Sequence, residues 1–138
     1  MVSRRQRALA RTAAVLAWIP GLGFGLFDIP AIWYFAHHHT VGVFIGYPTY
    51  GNGPFEDIGI PTTLPLLGAF MLVCIAATVT GWLLWRNHPA APAISVALLP
   101  VEFAFWIGFS LPAGPPLGLI RTALIAKALL RSRSATPE

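Results

Sequence analysis

The stretch PTTLPLLGAFMLVCIAATVTGWLLW, residues 61–85, runs for 25 residues without a charge and closes on Trp82 and Trp85. As a helix it spans ~37 Å at 1.5 Å per residue, more than the ~30 Å hydrocarbon core of a bilayer. Tryptophans at one end suit the membrane–water interface, where an amphipathic ring sits at headgroup level. The segment reads as a transmembrane helix. Of the 138 residues, 56% are hydrophobic and 10% charged, whereas soluble domains carry about 25% charged residues. A chain of this size, read as one integral membrane domain over residues 1–138, cannot hide that much apolar surface in a water-soluble core.

Three further apolar runs flank this one. Residues 12–36 form the first, with Pro20 and Pro30 expected to kink or tilt it. Residues 91–111 form the third, and residues 117–130 a short fourth that needs snorkelling side chains to span. The expected fold class is all-α, a polytopic four-transmembrane-helix bundle. Basic residues give its orientation. The N-terminal arm, the 86–90 break and the C-terminal tail hold eight of the nine Lys and Arg, and the 37–60 loop and the 112–116 turn hold none. The positive-inside rule then places both termini in the cytoplasm, and the cell membrane is the expected location. A basic N-terminus before an apolar run resembles a signal peptide, but this run is too long for one.

The extracytoplasmic loop, residues 37–60, holds five Gly, two Pro and four aromatics. A connection of that length and apolarity is expected to fold over the helices as a cap or to dip into their mouth.

Five carboxylates occur in the chain, and two lie inside apolar runs: Asp28 and Glu102. Glu102 has no charged neighbour from residue 90 to residue 120. A lone carboxylate at a helix centre costs roughly 2 to 4 kcal/mol, so it needs an answering group. Counting from the outer helix ends, Glu102 lies ~13 Å deep, Asp28 ~12 Å and Arg121 ~6 Å. Arg121 is the expected partner of Glu102, with Asp28 competing for it or sharing it. Two carboxylates around one arginine leave a surplus negative charge, the arrangement from which a proton donor is built. Glu102 and Asp28 are therefore the candidate catalytic residues. Arg121, Trp106, Phe103, Phe105, Glu56 and Asp57 are the candidate ligand-binding residues.

Other motifs carry less chemistry. His37, His38 and His39 are consecutive and cannot all face one ion, and no metal or other cofactor is expected. Cys74 stands alone, which excludes an internal disulfide or a Cys-based metal site. Gly21 and Gly25 form a GxxxG, a close-packing face for another helix. No strand precedes it, so it fails as a dinucleotide fingerprint. The basic blocks flank apolar segments without interleaved aromatics, which argues against nucleic acid.

DIPAI (28–32), PFED (54–57) and PVE (100–102) resemble the D-x-x-A and P-x-E-(E)-D patterns of small membrane-bound lycopene cyclases. The resemblance implies a membrane-embedded isoprenoid cyclase or isomerase in which a buried carboxyl donates a proton. The chain departs from the pattern: the family's double Glu followed by paired Phe is absent, and four apolar runs replace its usual three.

The leading expectation is a membrane protein whose intramembrane polar site binds a lipid or isoprenoid-like molecule. A small proton-coupled transporter using Glu102 is one alternative, and a structural or assembly subunit is another. Expected partners are membrane lipid, an apolar small molecule, and a second copy or a larger membrane protein.

Overall fold

Ser3 sets the start of the first helix in the computed structural model, which describes residues 3–133. Its hydroxyl accepts from the Gln6 N–H at 3.1 Å, and the Gln6 side chain accepts from the Ser3 N–H at 2.9 Å, a reciprocal capping box. Helix α1 therefore covers Arg4–His38 and takes in the arginine arm, beginning well before the apolar run at residue 12. It continues through Pro20 and Pro30. Each proline forfeits one backbone bond, and packing against neighbouring helices offsets the loss.

Thr63 caps helix α3, Leu64–Trp85, by accepting from the Leu66 N–H at 3.3 Å. The helix thus starts three residues inside the 61–85 run. Helix α4, Ala91–Gly108, stops short of residue 111, because Ser110 turns left-handed and Leu111 N–H reaches back to the Trp106 carbonyl. Asn87 ends α3 in the same manner, with His88 N–H on the Leu83 carbonyl. Helix α5, Gly114–Arg133, begins earlier than residue 117, since Pro115 and Pro116 are compatible with a first helical turn.

Three of these helices, α1, α3 and α4, are long and apolar enough to cross a membrane. The 20 residues of α5 include Arg121, Lys127 and Arg131. Residues 134–138, with Glu138, and residues 1–2 lie outside the described part of the chain.

Small residues set the α1–α3 contact. Buried Ala13, Ala14, Ala17, Gly21, Gly25, Asp28 and Ala31 recur at helical spacing along one face of α1. A Cβ on Gly21 would lie 2.7 Å from Thr78 Oγ1, and one on Gly25 3.1 Å from Cys74 Cβ. Trp18 completes the ladder by covering Gly81 and donating Nε1–H to the Thr78 carbonyl at 3.0 Å. The GxxxG is thus engaged within the chain. Extending this antiparallel register puts Leu64 level with Phe35. Exposed Trp33 and Tyr34 then mark one rim and Trp82 and Trp85 the other, ~27 Å apart at 1.5 Å per residue. Helix α1 packs on α3 and α5, and α4 packs on the same two.

Residues 39–63 carry secondary structure of their own. Strands β1 (Val43–Phe44) and β2 (Tyr47–Pro48) form a two-stranded antiparallel hairpin, and α2 (Pro54–Asp57) is a single helical turn. Tyr50 is buried among Ala31, Leu67, Phe70, Cys74, Trp106 and Phe109. Its hydroxyl donates to the Phe24 carbonyl at 2.7 Å. Phe55 lies over Gly108 and meets Phe105 and Phe109 edge-on, with centroids 5.7 and 5.3 Å away.

Candidate functional site: a buried ion pair and an unpartnered carboxylate

Helical spacing brings the polar groups inward. On α4 the buried face runs Ala91, Ser95, Glu102, Trp106, and on α5 it runs Gly114, Gly118, Arg121, Ile125. The α5 glycines admit the Trp106 indole, whose atoms would stand 2.3 Å from a Cβ on Gly114 and 2.7 Å from one on Gly118. That approach places Arg121 against Glu102. Nη1 donates to Oε1 at 3.1 Å and Nη2 donates to Oε2, a fork-to-fork pair with both side chains buried. The partner expected for Glu102 is the one found.

Asp28 behaves differently. It is fully buried on α1, and neither carboxylate oxygen has a hydrogen-bond partner. The expectation that it shares Arg121 is corrected: among the described residues, the arginine's single ion-pair partner is Glu102. Both terminal nitrogens are committed there, while Nε remains unpartnered. Ser95 Oγ, two helical turns from Glu102 on the same face, is buried and unpartnered as well. Burial pushes the Tyr50 phenol above its ordinary range, and the Asp28 carboxylate adds to the shift.

The remaining predicted residues spread over two neighbourhoods. Trp106 and Glu102 line one narrow gap with Pro20, Gly21, Phe70, Val73, Cys74 and Ala77, too tight for a water molecule. Phe103 meets Trp106 one turn on along α4, with centroids 5.6 Å apart, while Phe105 stacks on Phe70 of α3 at 5.4 Å and so packs the two helices together. Glu56 and Asp57 sit apart, on α2. Glu56 accepts from the Thr62 hydroxyl at 2.8 Å, which closes the 39–63 segment, and Asp57 is exposed. His37 and His38 turn back onto the Trp33 and Tyr34 carbonyls of their own helix.

Sequence reasoning missed Ser95 and Tyr50. Ser95 precedes Glu102 by seven residues, one heptad on the same helix face, and that spacing was the available signal. Tyr50 carries no comparable mark, because its burial depends on how the 39–63 segment folds.

A groove on the outer side of the α1–α3 seam completes the site. It encloses about 220 Å³ and is lined by Gly21, Leu22, Gly25, Leu26, Ile29, Met71, Cys74, Ile75, Thr78 and Val79. Gly21 and Cys74 line both this groove and the gap at Glu102. Comparison with family models, curated proteins and solved structures finds no match. The likeness to lycopene cyclases therefore rests on the short motifs alone.

Proposed function

We propose that the chain is a four-helix polytopic membrane protein that binds a bilayer-borne, lipid- or isoprenoid-like molecule. In this reading α5 spans beside the other three helices, with Arg121 neutralised by Glu102 and Lys127 and Arg131 near the membrane surface. Both termini face the cytoplasm of a cell membrane, and residues 39–63 lie on the opposite side. The ligand's apolar body occupies the α1–α3 groove. Its polar end lies against the Gly21–Cys74 seam, on whose inner side the Glu102–Arg121 pair stands.

One observation carries the reading: Gly21 and Cys74 line both the apolar groove and the gap at Glu102. A ligand site of this kind is mostly apolar with a few convergent polar groups. The buried oxygens of Asp28, one helical turn beyond Gly25 on α1, are a further unanswered polar group, and such groups normally have partners.

Gentle extraction followed by native mass spectrometry tests the proposal. Leu22→Trp and Ile75→Trp fill the groove from its exposed wall, and Leu72→Trp is an off-groove control on an exposed position of α3. The wild type and the control should retain a bound lipid-class molecule that the groove variants lose. Equal retention in all four proteins, or none in the wild type, would remove the proposal.

A further inference from the structure

The β1–β2 hairpin sits where a solvent loop has no reason to be. Its side chains are apolar and open: Val43 is 69% exposed, Phe44 54%, Ile45 81% and Tyr47 76%. Residues 40–55 hold no charged side chain. An exposed cluster of this kind marks an interaction surface.

Depth identifies what it meets. A Cβ on Gly42 would lie 3.2 Å from the Tyr34 ring, whereas the Phe44 ring meets Phe27, with centroids 5.8 Å apart. Between Tyr34 and Phe27 the helix drops seven residues, ~10 Å. β1 therefore descends along α1, away from the aromatic rim at Trp33 and Tyr34. The hairpin and α1 enclose a groove of about 390 Å³ lined by Phe27, Pro30, Ala31, Tyr34 and the hairpin itself. The α1 surface at this level is exposed and apolar, with Leu26, Phe27, Ile29 and Trp33 all open. The hairpin continues that lipid-facing surface.

We infer that β1–β2 lies at the hydrocarbon boundary of the adjoining leaflet, its tip side chains inserted among the upper parts of the phospholipid tails. The backbone is built to lower the cost. Val43 pairs with Pro48 and Phe44 with Tyr47, and Thr49 donates both its N–H and its hydroxyl to the Gly42 carbonyl, each at 2.7 Å. Pro48 brings no N–H to satisfy. Lipid-exposed strand edges are excluded from hydrocarbon, so the two-residue strands stay at its boundary and only their side chains reach the tails. This inference does not depend on the ligand proposed above, since none of the α1 residues that line the hairpin groove, Phe27, Pro30, Ala31 and Tyr34, lines the α1–α3 groove.

The test uses the full chain with Cys74→Ala, a single cysteine at Ile45→Cys, and an environment-sensitive fluorophore on it, reconstituted in phosphatidylcholine vesicles. Asp57→Cys serves as the water-exposed reference. Spin-labelled phosphatidylcholine carrying its nitroxide high on the acyl chain should quench position 45 several-fold more than aqueous iodide does. The order should reverse at position 57. Strong iodide quenching at both positions would overturn the inference. So would lipid quenching at position 45 that appears only when the protein is diluted in the bilayer, because a second copy would then be the true cover.

Discussion

Arg121 and Glu102 meet through two parallel hydrogen bonds across the α4–α5 interface, Nη1 to Oε1 at 3.1 Å and Nη2 to Oε2. Glu102→Gln and Arg121→Gln each strand one buried charge, and each should destabilise the protein by ~3–5 kcal/mol. The double variant should cost less than the sum by ~0.5–3 kcal/mol, the signature of contact. Unfolding in detergent, followed by circular dichroism, measures the cycle, and strict additivity would contradict the pair.

The seam glycines should separate by position. A Cβ on Gly21 or Gly25 meets α3, while one on Gly23 meets nothing within 4 Å. Gly21→Val and Gly25→Leu should cost ~1–3 kcal/mol through overpacking. Gly23→Ala should be neutral or stabilising by up to ~1 kcal/mol, because it removes backbone freedom from the unfolded chain. Equal losses at all three positions would show that α1 and α3 do not pack as described.

Tyr50 anchors the 39–63 segment. Tyr50→Phe removes one hydrogen bond and should cost ~0.5–1.5 kcal/mol. Tyr50→Ala also removes the buried ring and should cost ~3–5 kcal/mol. Protease added to intact membranes on that side should cut the wild-type segment slowly and the alanine variant quickly. Rapid cleavage of the wild type near Tyr47 would show that the segment is not held.

Orientation is tested by reporters. A fusion after Glu138 should read cytoplasmic, and an insertion near Asn52 should read external. A cytoplasmic Asn52 would invert the assignment.

How far the sequence reached depends on which residues make the decision. Long uncharged runs made the apolar helices legible, because hydropathy is a property of each residue counted along the chain. Helix limits were less legible. The Ser3–Gln6 box and the left-handed Ser110 are set by a few polar or strained residues that an apolar count overlooks. The Glu102–Arg121 pair was readable because a buried membrane charge admits few answers. Asp28 was not, since depth alone could not tell which of two carboxylates the guanidinium faces. The hairpin was invisible for a different reason: its place follows from Phe44 meeting Phe27, a contact that no local pattern encodes.

The central claim is that a bilayer-borne molecule occupies the groove between α1 and α3. Photolabelling in native membranes tests it most directly, using a diazirine-bearing isoprenoid alcohol and a diazirine-bearing phosphatidylcholine, with labelled residues mapped by mass spectrometry. The account predicts that one of the two probes concentrates on Leu22, Leu26, Ile75 and Val79, and that Ile75→Trp abolishes that labelling. Labelling spread evenly over the exposed faces of α1, α3 and α4, unchanged by Ile75→Trp, would contradict it.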